Sequence, residues 1–152
     1  MSKLTARLQG VSDAIKNTDA LDKILNKIGR KMMGEVGQFM VHSSKRNFNN
    51  EQAPDGKRWK KLKEQTKNRK GHSRILFETG ALNRSIQVIS LGNDKVSVGI
   101  SGTEVKKALT HQFGRDEIPA RPFLGFSKPR DDEKKIKGIV VRHVQREVRQ
   151  IT

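Results

Sequence analysis

His111 is the residue whose type and surroundings come nearest to a catalytic arrangement. It lies at the end of a predicted helix, and Asp116 and Glu117 follow within a few residues. A histidine can act as a general base when a carboxylate orients it within a pocket. Both acids lie in a predicted loop, however, so their spacing fixes no such geometry. We favour the simpler interpretation that the imidazole hydrogen-bonds a backbone carbonyl and holds the local bend.

The remaining residue types give no further indication of chemistry. His42 and His143 lie in different predicted helices and His72 in a lysine-rich loop, so none has the spacing of a metal-binding motif. The chain has no cysteine, hence neither disulfides nor thiolate chemistry. It also lacks glycine-rich phosphate loops and a nucleophile elbow. We therefore expect no catalytic residue, no metal and no cofactor.

The basic segment, residues 57–74, holds nine Lys or Arg and one acid, within a chain of net charge +16. Such charge favours contact with phosphates or with an acidic protein, although a solvated loop is an equal alternative. One aromatic residue is too few for a base-stacking platform. Trp59 and Leu62 are expected to anchor the segment. The residues expected to contact a partner or DNA are Lys57, Arg58, Trp59, Lys60, Lys61, Lys63, Lys67, Arg69 and Lys70.

The corner, residues 111–125, is rich in apolar residues, Gly and Pro within a chain that is 32% charged. It reads His-Gln-Phe-Gly at 111–114 and Ile-Pro-Ala-Arg-Pro-Phe-Leu-Gly at 118–125. Its two prolines exclude a helix there. The pattern indicates a rigid bend that docks onto another surface, where Arg121 is expected to pair with a carboxylate. The expected interface residues are His111, Phe113, Pro119, Arg121, Pro122 and Phe123.

Two long amphipathic helices are predicted to flank these segments. Apolar residues recur every three to four positions over about 19–46, and again in a C-terminal helix that begins near Pro129. Gly29, Gly34 and Gly37 interrupt the first helix, each at a cost of about 1 kcal/mol relative to alanine. Either another backbone approaches them closely or the helix is locally weak, and the sequence leaves both possibilities open.

Between the helices, alternating apolar residues on either side of Gly92-Asn93-Asp94 predict a β-hairpin. A helix over about 104–112 with Gly114 just beyond its end, and a short strand over 122–126, are also expected. The sum is an α+β fold, in which a small antiparallel sheet with a β-hairpin is packed by a long N-terminal helix and a C-terminal helix.

The length of 152 residues predicts a single domain over 1–152, with a polar arm at 1–17 and an exposed basic loop at 47–74. Hydrophobic residues make up only 33% of the chain, so burial between subunits would supplement a small core. No apolar run approaches the ~20 residues needed to span a bilayer, and no export signal is evident. We therefore expect no membrane partner and a location in the cytoplasm during synthesis.

Motifs over about residue 48 to the C-terminus resemble the phage virion morphogenesis family, which includes the tail-completion proteins of P2-like phages and their Mu-like relatives. The resemblance rests on Trp59-Lys-Lys-Leu62, on residues 76–86 with Thr79-Gly80-Ala81-Leu82, on Val98-Gly99, and above all on the two motifs of the corner. The stretch 57–74 is unusually basic for this family.

The resemblance implies a structural virion protein without catalytic residues. It implies a ring, often of six subunits, at the head-proximal end of the tail, where the tail is completed and joined to the head. The partners would be copies of the chain itself, the tail tube, neck or connector proteins, and DNA in the channel without sequence specificity. The alternatives are a small basic nucleic-acid-binding protein and, ranked last, an enzyme that uses His111.

Overall fold

A computed structural model of the chain describes residues 4–7 and 19–151. The elements along the described chain are strand β1 (Leu4–Arg7), helix α1 (Asp19–Asn50), helix α2 (Glu64–Lys70), helix α3 (Ala81–Arg84), strands β2 (Ile86–Leu91) and β3 (Lys95–Ile100), a 3-10 turn (Gly102–Glu104), helix α4 (Val105–Phe113) and helix α5 (Asp132–Ile151). The predicted α+β fold is confirmed, with both long helices and the hairpin in place.

Helix α1 continues four residues beyond its predicted end because its last turn is held by tertiary contacts. Asn47 is fully buried, and its Nδ2 donates to the Phe123 carbonyl at 2.8 Å. Phe48 packs in the core against the rings of Trp59 and Phe123. The helix ends where Glu51 adopts a positive φ of 51°. The expectation that 47–50 begin an exposed loop was therefore wrong.

The sheet is antiparallel, with strand order β1-β3-β2 among the described residues. The hairpin pairs Ile86 with Ile100 and Leu91 with Val96, and a bulge between Val88 and Ser90 shifts the register by one residue. Strand β1 pairs Leu4 with Val98 on the other side of β3. Apart from this strand, the polar arm expected over residues 1–17 lies outside the described residues. The strand itself was not predicted from the sequence.

Helix α1 contacts the hairpin and, on another side, α5. The buried residues of α1, such as Met33 and Val36, meet Val96 and Val98 of the sheet and Val140 of α5 in one core. Side-chain hydrogen bonds also join the two long helices, since Glu35 accepts from Arg142 and His143, and Lys27 pairs with Glu147. No helix among the described residues has the length and apolarity to cross a membrane.

Helix α5 begins later than Pro129, which lies in the preceding turn. Asp131 has a positive φ of 51°, so the helical backbone starts only at Asp132. The buried Asp132 carboxylate accepts the Ser127 N–H at 2.7 Å and the Ser43 hydroxyl, which ties this helix start to α1.

The strand expected over 122–126 is absent, and that prediction was wrong. Side chains from three other elements, and not a neighbouring strand, satisfy the backbone groups of 122–124, as described below.

Candidate functional site

Gln112, at the end of α4, fixes the path of the corner. Its Oε1 accepts the N–H groups of Phe123 and Leu124, each at 3.1 Å, and its Nε2 donates to the Leu124 carbonyl at 3.1 Å. One amide side chain thus takes the place of a neighbouring strand. The backbone contributes a further bond, because the Arg121 N–H donates to the His111 carbonyl at 2.6 Å.

The corner is also bonded to α1 and to the basic segment. Trp59 Nε1 donates to the Pro122 carbonyl at 2.9 Å, and Arg121 Nε donates to the Lys60 carbonyl at 3.0 Å. The Asn47 bond to Phe123 joins the same stretch to α1. Trp59 is buried and Leu62 packs on the core, so both anchor the basic segment as predicted.

A buried polar network orients Asn47 for this contact. Arg130 Nη2 donates to Asn47 Oδ1 at 2.8 Å and to the Ser43 hydroxyl and carbonyl oxygens at 2.9 and 3.0 Å. Because Asn47 Oδ1 accepts from Arg130, its Nδ2 is directed towards the Phe123 carbonyl. Asp132 Oδ1 lies 4.0 Å from Arg130 Nε and balances its charge.

Within the corner, residues 113–118 form a tight turn that we call the tip. Arg115 and Ile118 exchange two backbone hydrogen bonds of 3.0 and 2.8 Å. Gly114 has the predicted positive φ, 77°, and a Cβ there would lie 2.9 Å from the Ala120 nitrogen. The tip presents two apolar side chains to solvent, with Phe113 62% and Ile118 43% exposed. Exposed apolar surface is one of the features found at protein contacts.

The structure separates the six expected interface residues into two groups. Phe113 is exposed, and His111, Pro119 and Pro122 are partly so. The expectation was wrong for the side chain of Phe123, which is 0% exposed because it fills the chain's own core beside Phe48. Whether the exposed residues contact a neighbouring subunit remains a prediction.

Arg121 also departs from expectation. Its side chain is only 6% exposed, and no carboxylate in the described part of the chain forms an ion pair with it. Burial lowers the pKa of Arg121 below its ordinary value because the charge is desolvated. An Arg121→Glu variant would therefore disturb the fold itself, and it cannot separate assembly from folding.

Two sets of residues that the sequence left separate meet in one cavity of about 410 Å³, which we call the cationic cavity. Its walls come from the basic segment, from residues 76–82, and from His111, Pro119 and Arg121 of the corner. Among the described residues that line it, the acids are Glu78 and Glu117, and the cations are Lys60, Lys61, Lys63, Arg69, Lys70, Lys107 and Arg121. Of the other expected contact residues, Lys57, Arg58 and Lys67 are not among those that line it, and Trp59 is buried.

The surroundings of His111 make it a weak base. Desolvation, followed by the charges of Arg121, Lys107 and Lys70, lowers the pKa of His111 to about 4. Its Nδ1 has no hydrogen-bond partner among the described residues, so the expectation that the ring bonds a carbonyl was wrong. His111 holds the bend through its main-chain carbonyl instead, which accepts the Arg121 N–H. The nearby acids are engaged elsewhere, Asp116 with Arg115 and Glu117 with Lys63.

This environment predicts a loss of stability in mild acid. The pKa of His111 is about 4 in the folded protein and about 6.5 when unfolded. Between these values the unfolded chain binds a proton that the folded chain does not, so the free energy of unfolding falls as pH falls. We expect a loss of about 1 kcal/mol between about pH 7.5 and about pH 5, because partial exposure screens the effect.

Urea denaturation at the two pH values measures this loss, and His111→Gln should reduce it. Glu35 does not confound the comparison, because it is the same in both proteins. The hydrogen bond from His143 holds the pKa of Glu35 below its ordinary value in each of them. An equal loss in the wild type and the variant would contradict the role assigned to His111.

Sequence reasoning missed the residues that hold the corner, namely Gln112, Asn47 and Arg130. A signal was present for one of them. Ser43, Ser44 and Asn47 continue the buried face of α1 at positions where its period calls for apolar residues. Polar side chains on such a face indicate a buried hydrogen-bonding network. Nothing in the local pattern marks Gln112 or Arg130.

Comparison with known proteins agrees with the motifs of the corner. The sequence pattern of the phage virion morphogenesis family matches residues 9–145. A Haemophilus influenzae protein described as "Mu-like prophage FluMu G protein 1" is 29% identical over 119 residues, which cover 76% of this chain and 80% of that protein. No solved structure shows significant similarity to the chain. With most of its length matched, the chain belongs to the phage virion morphogenesis family, and its role is in building the phage virion.

Proposed function

We propose that this chain is a structural virion protein that forms a ring at the head-proximal end of the phage tail, where it completes the tail and takes part in head–tail joining. Family membership over residues 9–145 is the observation that carries the proposal. The ring would be built from copies of this chain, six by the family resemblance, and would contact the tail tube on one side and neck or connector proteins on the other. It would assemble in the host cytoplasm.

The corner supports a role in subunit contacts. Side-chain and backbone hydrogen bonds fix its path, so the exposed Phe113 and Ile118 are held in place before any partner arrives. Preorganisation of this kind lowers the entropic cost of association. The net charge of +16 per subunit, repeated around a ring, would also create a positive potential towards DNA in the channel or an acidic neighbouring ring.

The test is complementation of a phage that lacks its own copy of the gene. The chain supplied in trans should restore infectious particles, and gold-labelled antibody should mark the tail end that faces the head. Phe113→Asp should stay folded yet fail to restore particles, because it places a charge on the apolar tip.

Val141→Asp is the matched control, since Val141 is an exposed apolar residue outside the corner, in α5. It should complement normally. Equal behaviour of the two variants would remove the tip from the proposed contact. Label at the far end of the tail, or none on particles, would refute the proposed function.

A second candidate, a nucleic-acid-binding protein, is favoured by the cations exposed along the basic segment. It predicts that a monomer binds a short DNA duplex with an affinity that falls steeply as salt rises. Duplex binding by a monomer that is absent from tails would favour this candidate over the ring.

A further inference from the structure

Arg121 is a buried cation whose neighbours are mostly cations. Its Nε donates to the Lys60 carbonyl, and no carboxylate in the described part of the chain pairs with it. Lys70 and Lys107 line the same cavity. A desolvated guanidinium among like charges is unfavourable unless an anion compensates it. The cavity therefore suits a carboxylate or a phosphate from outside the protomer.

The walls of the cationic cavity favour a protein as the source of that anion. Leu62, Leu76 and Phe77 contribute apolar surface beside the lysines, and the exposed Ile118 stands at its edge. A protein segment brings apolar groups together with its charges, as the cores of protein interfaces do. A nucleic-acid backbone offers mainly phosphate and sugar to such a surface.

A surface of opposite charge lies elsewhere on the same chain. It is a concavity of about 670 Å³ between residues 53–55, residues 122–128 (the end of the corner and the three residues after it) and the start of α5, and we call it the acidic concavity. Its lining, as far as the chain is described, holds four acids and one lysine, together with apolar groups such as Pro54 and Leu124. Two of the acids, Asp131 and Glu133, are exposed and form no ion pair with any described residue.

We propose that the cationic cavity of one copy binds residues 131–133, where α5 begins, in the next copy. The inference rests on the proposed ring and names the two surfaces that would join its subunits. Because the two surfaces differ, the contact is head-to-tail, and such contacts close into rings when the rotation between subunits permits. The corner lines both cavities, so one rigid element would set the angle between neighbours.

Cross-linking within assembled particles tests the contact directly. The chain has no cysteine, so an introduced pair is unique. Particles carrying Lys61→Cys together with Glu133→Cys, treated with a flexible bis-maleimide, should yield a ladder of covalently linked copies. Each single variant should remain monomeric on a denaturing gel. Normal particles without a ladder, or dimers from either single variant, would overturn the proposal.

Charge reversal tests the pairing independently. Two double variants each reverse the charge on one side of the contact: Lys60→Glu with Lys61→Glu, and Asp131→Lys with Glu133→Lys. Each should lower the complementing phage titre by about a hundredfold, because like charges would then oppose each other across the contact. All four changes together should restore it. Lys23→Glu with Lys31→Glu, a pair of exposed lysines on α1, is the control of equal charge and should complement normally.

The outcomes separate this inference from the proposed function. A chain absent from tails refutes the proposed function. If the chain is present in tails but the variant with all four charge reversals stays as defective as the two double variants, the contact is refuted and the proposed function is not. The cationic cavity would instead be assigned to nucleic acid if the double variant Lys60→Glu with Lys61→Glu lost DNA duplex binding while the phage titre stayed unaffected.

Discussion

Phe123→Ala should lower the free energy of unfolding by about 3–5 kcal/mol. The ring is 0% exposed and packs against Phe48, with the ring centroids 4.8 Å apart. The backbone on either side is fixed by Asn47, Trp59 and Gln112, so the site cannot collapse around the missing ring. Domains of this size are stable by only about 5–15 kcal/mol, so the variant would lose a large share.

Phe113→Ala is the matched control, ten residues earlier in the other motif of the corner. Its side chain is 62% exposed, and its loss should change the stability of the monomer by no more than about 0.5 kcal/mol. Urea denaturation, with midpoints compared at constant m-value, measures both variants. A larger loss for Phe113→Ala than for Phe123→Ala would mean that the core has been assigned to the wrong aromatic residue.

Gly29→Ala should destabilise the protein by about 1–3 kcal/mol, although helix propensity alone predicts a gain of up to about 1 kcal/mol. A Cβ at Gly29 would lie 2.2 Å from the Asn93 carbonyl oxygen and 2.9 Å from its carbonyl carbon. Both are backbone atoms of the hairpin turn and cannot move aside as the end of a flexible side chain does. Helix α1 and the hairpin would have to separate.

Gly34→Ala, one and a half turns further along α1, provides the control. The nearest atom to its added Cβ is Leu91 Cδ2 at 3.9 Å, an ordinary van der Waals contact. This variant should therefore show the gain of up to about 1 kcal/mol that propensity predicts. Thermal unfolding of the pair should give shifts of opposite sign. A gain in both would show that the hairpin does not approach α1 at Gly29.

These glycines answer a question that the sequence left open. Close approach explains Gly29 at the hairpin turn and Gly37, where a Cβ would lie 2.7 Å from Val96 Cγ2. It does not explain Gly34. The effect of a glycine in this helix therefore differs from position to position, because it depends on whether the hairpin, more than fifty residues away in sequence, packs closely against that position.

The sequence alone determined the features that depend on local periodicity and turn chemistry. The 3.6-residue pattern of α1 and α5, the alternation around Gly92-Asn93-Asp94 and the prolines of the corner each act within a short stretch of chain, so their structures followed from neighbouring residues. The family likewise followed from the corner motifs, whose order and spacing are visible without a structure.

Only the tertiary structure decided which residues of the corner are core and which are surface. Phe113 and Phe123 belong to similar apolar motifs, yet one is exposed and the other buried, because contacts with Asn47, Phe48 and Trp59 direct the chain inward at 122–124. The meeting of the basic segment with Arg121 likewise depends on a bond that spans 61 residues. Burial and long-range pairing result from packing, and a local pattern carries no information about which distant element will be packed against it.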